Sequence, residues 1–345
     1  MSNTCPRRAV AALLVALSAG AVVPAAASAK KQDLKVMTRN VYLGADLIPL
    51  AGATDESSFE QAAAQRFQTV QSNNFPARAK LIAAEIKKAK PDLVGVQEAG
   101  IWRRGPDGIK DGPTTPATQV IYDSSSELRK ALAAIKAPYK EVVGRDWFDF
   151  EAPTALGYDV RITQRDVILV RKGSKVKIRK TFKGQFSKHF DPPTVRGVAP
   201  QLRGWVGVDA TLAKHKFRFV STHLEAYSAD IANQQMQQLL GAYGPLGNKK
   251  RQTILVGDFN SQPSDPAPNA FQSAIKAGFK NTLPKRSTCC FAEDLHTPDS
   301  LNQWIDHVLV RPKVKLVKSG IVGTKQIGGI FPSDHAGITA TLRLK

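Results

Sequence analysis

The sequence predicts a mixed α/β fold, and three observations carry the prediction. Short apolar runs of strand character recur along the chain. Several follow one another with only a turn between, and others are separated by stretches whose apolar residues repeat at helical spacing. In chain order, residues 34–41 read as a strand. Residues 55–71 read as a helix, because Phe59, Ala63, Phe67 and Val70 recur along one face. A second helix over 78–88 ends before Pro91, and 92–97 is a strand. Residues 126–135 read as a helix capped by Ser124 or Ser125. Residues 166–171, 205–212 and 216–222 are strands, the last two a consecutive pair. A helix over 229–242 turns Ile231, Gln235, Met236, Leu239 and Leu240 inward, and strands at 252–257, 304–310 and 337–344 complete the set. The stretches 105–116 and 260–268 are rich in turn-forming residues and read as surface loops. No repeat or domain linker interrupts the pattern, so one large domain is expected.

The first residues have a different character. Arg7 and Arg8 precede an apolar stretch over 9–23, and Ala27-Ser28-Ala29 supplies a small-residue cleavage site. This reads as a secretory signal peptide over residues 1–29, with the domain over 30–345. A membrane anchor is disfavoured, because the run is short for a span and no second apolar stretch follows. The chain holds 49 Lys and Arg against 29 Asp and Glu, a net charge of +20. Loss of the leader removes Arg7 and Arg8 and no acid, so +20 becomes +18. Such a balance suits acidic partners: nucleic acid, anionic lipid headgroups or cell-wall phosphates. The cations are scattered, so no basic tail is implied.

Cys5 leaves with the leader, and Cys289 and Cys290 stand side by side. A strained vicinal disulfide, a free thiol pair and an intermolecular link are all open to them. Two adjacent thiols without a second pair or a suitably spaced His make no zinc motif. Nothing near them in sequence would activate a thiolate, so a structural role is expected.

Six apolar strands carry a chemically similar group at or near one end. Alternation places Asn40 on the face of Leu34 and Val36, and His223 on the face of Phe217, Phe219 and Ser221. Asp258 shares a face with Ile254 and Val256, and Asp306 with Val308 and Val310. Leu93, Val94 and Val96 lead to Glu98, while Asp334 and His335 stand just before the last strand. One such residue is an ordinary turn residue; six together mark strand ends where a ligand gathers. The set is rich in carboxylate and amide oxygen and holds no thiolate, which favours Mg²⁺, Mn²⁺ or Ca²⁺ over zinc.

The stretches RNVY, QE, STHLEA, GDFN, IDHVLV and SDH occur in this order across residues 34–344. Together they resemble the endonuclease/exonuclease/phosphatase superfamily, which includes deoxyribonuclease I-like nucleases, abasic-site endonucleases, inositol-polyphosphate phosphatases and bacterial sphingomyelinases. VMTRNVYLG and THLEA are most similar to the sphingomyelinase and secreted bacterial branch. The resemblance implies a four-layered sandwich, two mixed sheets face to face with helices outside, and metal-assisted hydrolysis of a phosphate ester. It implies Glu98 as a metal ligand, Asn40 binding or orienting the metal, and Asp334 binding metal or supporting the site. Asp258 would orient or deprotonate the attacking water, and Asn260 would help place the phosphate. His335 would donate to the phosphate oxygens, with Asp306 holding its other ring nitrogen. His223 would contact the phosphate or protonate the leaving group. The expected cofactor is Mg²⁺, with Mn²⁺ or Ca²⁺ as substitutes.

The chain departs from the family at Tyr42, where many nucleases carry an acid, so the number of metals is left open. Asp166 is expected to pair with a neighbouring Arg rather than reach the site. His307 alternates away from Asp306 and should point away from the chemistry. Trp102, Arg103 and Arg104 either touch a phosphate backbone or form an exposed basic loop. Trp147, Phe148 and Phe150 are candidates for a membrane-facing tip or for core. The favoured function is an exported phosphodiesterase of nucleic acid, with a sphingomyelinase or phospholipase C-like hydrolase second and a decayed binding module third. No obligate protein partner is evident, and a monomer is expected.

Overall fold

The computed structural model describes residues 1–2, 33–108 and 116–345. The leader reading and the tip of the 105–116 loop fall largely outside the described residues. In chain order the elements are β1 (Leu34–Asn40), α1 (Glu56–Ser72), α2 (Phe75–Ala89), β2 (Leu93–Gln97), β3 (Ile101–Gly105), β4 (Gln119–Asp123) and α3 (Ser124–Ala134). Then come β5 (Tyr139–Pro153), β6 (Asp159–Arg171), β7 (Lys177–Gln185), β8 (Pro193–Thr194), β9 (Gly197–Val198), β10 (Gly204–Leu212) and β11 (His215–His223). The chain closes with α4 (Ala229–Leu240), β12 (Thr253–Asp258), α5 (Ala270–Lys276), β13 (Lys280–Asn281), β14 (Asp306–Arg311), β15 (Val314–Val322) and β16 (Gly337–Leu344).

Two mixed sheets are formed. The first runs β15-β16-β1-β2-β6-β3-β4 with β5 paired to β6, and the second runs β13-β14-β12-β11-β10-β7. β1 and β2 are parallel, as are β11 and β12, and the other ladders of these sheets are antiparallel. The sheets face each other across a core of Leu34, Val36 and Leu93 from one, and Phe217, Phe219, Ile254, Val256, Val308 and Val310 from the other. On the outer face of the first sheet, Met37, Val94, Val96 and Leu169 meet Ile82 and Ile86 of α2 and Leu128 and Leu132 of α3. On the outer face of the second, Val220, Leu255 and Leu309 meet Met236 and Leu239 of α4 and Ala274 of α5. The result is the four-layered sandwich. Each apolar face is sealed, as layered α/β folds require.

Helix starts follow from side-chain caps. Asp55 accepts from the Ser58 amide and opens α1 in a capping box. Asn74 caps α2 and Ser228 caps α4. Asp123, not Ser124 or Ser125, caps α3; both serines lie inside the helix. Among the described residues, the helices are too short or too polar to cross a membrane.

The strands that sequence alone does not reveal have physical reasons for being hidden. β7 and β15 are outer strands that carry several Lys, with much of their length exposed and a free edge. β5 carries two register breaks, between Glu141 and Val143 and between Asp146 and Asp149, which spoil its alternation. Trp102, Arg103 and Arg104 belong to β3, neither an exposed loop nor part of the site. Trp102 is buried, Arg103 donates to Thr163 and Arg104 to Gln119. Trp147 and Phe148 are buried core, which removes them as a membrane tip.

Candidate active site

Three strands of the second sheet place a terminal residue at the same end, in register. His223 pairs across with Asp258, and Asp258 with Asp306, so an imidazole and two carboxyls stand side by side at one end of the sheet. The apolar run 254–256 therefore ends in a carboxyl because that end of the strand lines a cavity. Gly257 permits the arrangement: its φ is +144°, and a Cβ there would overlap the Thr222 carbonyl oxygen. Across the seam, Gly95 of β2 allows close approach, since a Cβ would lie 2.6 Å from Ser221 Oγ and 2.7 Å from Val256 Cγ2.

The first sheet contributes Asn40 and Glu98. Asn40 ends β1 and reaches over the seam. Its Nδ2 donates to Glu98 Oε1 at 2.9 Å and to Asp258 Oδ2 at 3.1 Å, while its Oδ1 accepts from the Tyr42 amide at 2.9 Å. One amide thus holds two carboxylates from opposite sheets. Glu98 arrives differently from the expectation. Val94 and Val96 face the helices, so simple alternation would send Glu98 the same way. A left-handed residue conformation at Glu98, φ 59°, turns its carboxylate into the cavity instead. Its Oε2 then accepts from the Leu43 amide at 2.7 Å, and its own amide donates to Asp166.

His335 lies in the turn before β16. Its Nδ1 contacts Asp306 Oδ2 at 2.8 Å, and its Nε2 faces Asp258 Oδ2 at 3.6 Å. Burial opposes charge on this ring. Asp306, Asp334 and Asp258 together override that and lift its pKa well above the ordinary imidazole value. His223 is the opposite case. Burial, reinforced by Arg203 and His335, pushes its pKa well down and keeps the ring neutral. Its Nε2 lies 3.5 Å from Asp258 Oδ2 and 3.9 Å from Glu98 Oε1. Burial raises the Asp258 carboxyl to about 7 against the pull of His335, and raises Asp334 to about 6. One site therefore holds a charged imidazole, a neutral imidazole and a carboxyl poised near neutrality, the kind of spread that acid–base chemistry needs.

The cavity they line has a volume of about 230 Å³ and includes all of Glu98, His223, Asp258, Asn260, Asp334 and His335. Asp306 sits behind His335, and Asn40 behind the two carboxylates. Asn260, also left-handed at φ 46°, donates its side-chain amide to the Leu224 carbonyl, tying together the loops after β11 and β12. Glu98, His223 and Asp258 present ligand atoms within 4.8 Å of one another, and hard carboxylate oxygens predominate among them. That donor set fits a hard divalent cation.

Several wall residues carried no functional signal in the sequence. Arg203, just before β10, is buried with its Nε 3.7 Å from Glu225 Oε2, and its Nε and Nη1 have no hydrogen-bond partner among the described residues. Asp46 and Tyr227 hydrogen-bond across the cavity mouth at 2.7 Å. Cys289 and Cys290 form a vicinal disulfide, and Cys289 Sγ lies 3.4 Å from His335 Nε2. The pair is far from His335 in sequence and beside it in space.

Two expectations about neighbours resolve differently. Asp166 makes no direct ion pair with an Arg among the described residues. It is fully buried, accepts from the Glu98 amide and from Trp147 Nε1, and burial raises it to about 7. His307 does point away, with its Nε2 against the Ser261 carbonyl and its ring among Phe259, Phe271 and Trp304.

A four-layered sandwich with carboxylates, amides and imidazoles gathered at the seam of its sheets defines a class of hydrolases: the phosphoesterases and nucleases. The chain belongs to the endonuclease/exonuclease/phosphatase family, whose model matches residues 66–335. Solved structures share the fold. A family protein from Bacteroides thetaiotaomicron has a TM-score of 0.58 at 16% identity, covering 91% of this chain and 98% of that one. The mannosyl-6-phosphatase Bt3783 of the same organism has a TM-score of 0.56 at 16% identity, covering 90% and 99%. D. rerio TDP2 complexed with single-strand DNA product has a TM-score of 0.51 at 17% identity, covering 90% and 98%. No curated protein matches the sequence.

Proposed function

We propose that the chain is an exported, divalent-metal-dependent phosphodiesterase that acts on nucleic acid. The observation that carries this reading is the meeting of Glu98, Asp258 and the Asp306–His335 pair around one cavity. Mg²⁺, or Mn²⁺ or Ca²⁺ in its place, would be held at Glu98 with Asp258, with Asp334 as a further carboxyl, and would neutralise phosphate charge. Asp258, reaching the same ion, also orients the attacking water. His335, held protonated and oriented by Asp306, donates from Nε2 to the phosphate oxygens as charge develops. Neutral His223 contacts the phosphate on the other side, and Asn260 fixes the loop from which it is approached. Arg203, which lines the cavity, adds a positive charge facing the same anion. Asn40 is a positioning residue that sets the two carboxylates. Export rests on the leader-like residues 1–29, and the nucleic-acid preference on the net charge, +20 for the whole chain and +18 without the leader's two Arg.

One feature favours a second reading, hydrolysis of phospholipid headgroups. An apolar hollow lined by Leu50, Phe148, Phe150 and Pro192 adjoins the cavity and shares Leu47, Gln201 and Tyr227 with it. The deciding experiment incubates the protein with plasmid DNA, RNA, sphingomyelin and a chromogenic phosphodiester, each with Mg²⁺ or EDTA. Metal-dependent cleavage of DNA or RNA is expected, and Asp258→Asn should lower it by roughly 10³-fold with an unchanged circular dichroism spectrum. Release of choline phosphate alone would establish the second reading. No turnover of any substrate would refute both.

A further inference from the structure

We propose that Cys289, Cys290 and His335 form a second, soft-metal site in the wall of the catalytic cavity, which takes a thiophilic divalent ion such as Zn²⁺ or Cd²⁺ when the cysteine pair is reduced. Cys289 Sγ lies 3.4 Å and Cys290 Sγ 4.0 Å from His335 Nε2, and the three atoms all fall within 4.8 Å of one another. Two sulfurs and one imidazole nitrogen are the donor types such ions prefer, whereas Glu98 and Asp258 offer hard oxygens. The cavity therefore has two walls that sort cations by hardness.

The ring is already oriented as a ligand and needs only to lose its Nε2 proton. Asp306 fixes Nδ1 at 2.8 Å and leaves Nε2 facing the sulfurs, the carboxylate–imidazole support that metal-bound histidines use. The cysteine segment is also held independently of its own S–S bond. Thr288 Oγ1 accepts from the amides of Ile305 and Asp306, and the Thr288 carbonyl accepts from the Ala336 amide. Phe291 donates to the Asp334 carbonyl, and the Cys289 carbonyl accepts from Asn302. These bonds stitch the pair to the two segments that carry Asp306 and His335, so the sulfurs stay beside Nε2 when the bond between them opens.

Opening needs a reductant, and an external dithiol or phosphine supplies it. With a dithiol, two electrons and two protons pass to the S–S bond, giving two thiols, and the dithiol leaves as its own disulfide. Metal binding then releases three protons to solvent, one from each thiol and one from His335 Nε2. The disulfide form cannot take the ion, so oxidation protects the site and reduction exposes it. The ligand set stands without the function proposed above. Its consequence rests on that reading: an ion on Nε2 withdraws the nitrogen that faces the phosphate, and hydrolysis stops.

The test uses the full chain, phosphine-reduced or left oxidised, titrated with Cd²⁺ in excess Mg²⁺ while the ultraviolet thiolate-to-cadmium absorption is followed. Reduced protein should saturate at one equivalent, and oxidised protein should give no band. Cys289→Ser/Cys290→Ser, which keeps Cys5, should also give none while melting as a folded protein. Asp306→Asn should weaken binding by roughly 10- to 100-fold, as loss of such a carboxylate partner does. Absence of the band in reduced wild-type protein overturns the proposal, and so does unchanged affinity in Asp306→Asn, because the imidazole would then play no part. In the activity arm, Zn²⁺ should inhibit only the reduced enzyme. Equal inhibition of both redox forms would place the zinc on Glu98 and Asp258 and overturn the inhibitory consequence. A failure of all substrates would leave the absorption titration to decide the site.

Discussion

His335 is a buried ring that stays charged, and the charge comes from its neighbours. Removing the nearest of them should show it. In Asp306→Asn the imidazolium loses its contacting carboxylate, so its pKa falls. A protonated donor is lost as pH rises through its pKa, so the alkaline limb of kcat should move to lower pH by roughly 1–3 units. A limb that stays in place would show that His335 does not act as the acid form. At this scale the sequence was legible where alternation held. His223, Asp258 and Asp306 sit on the faces that their apolar neighbours assign. It failed for the route of Glu98, whose left-handed conformation reverses its face, and for the Cys pair, whose partner His335 is distant in the chain. Arg203 carried no pattern at all, because a single cation before a strand looks like any other.

Buried cations tie the loops of the site to the elements beside them. Arg78 of α2 donates to the carbonyls of Asn73, Val41, Tyr42 and Pro332, which joins the loop after β1 to the loop before β16. Arg39 of β1 bonds Glu85 of α2 and the His335 carbonyl. Both cations are almost fully buried. Arg78→Met should therefore leave four carbonyls without this donor and cost about 3–5 kcal/mol by urea unfolding, with kcat lowered as the His335 loop loses its tether. Unchanged stability would mean that the loops are held elsewhere. Neither arginine was legible as structural, since a cation in a helix or strand pattern reads as solvent-facing. The central strands were legible because both of their faces are covered and their runs stay apolar. The Lys-bearing outer strands β7 and β15 were not, because half of each faces water.

At the scale of the molecule, the sheet count and the layering were foreseeable from the ordered motifs, while the cavity was foreseeable only as a gathering of strand ends. Its walls come from loops whose positions no local pattern encodes. The seam itself has a mechanical side. Glu98 follows a strand of one sheet and Asp258 ends a strand of the other, and Asn40 is the hydrogen-bonded bridge between them. An ion gripped by both carboxylates would act as a rivet through the sandwich, so that catalysis and cohesion share one fastening. Saturating Mg²⁺ should then raise the melting midpoint by several degrees, in keeping with about 2.7 kcal/mol of linkage at a hundredfold excess over Kd. Glu98→Gln should erase that rise, and a calorimetric trace that EDTA leaves untouched would show that the layers cohere without it.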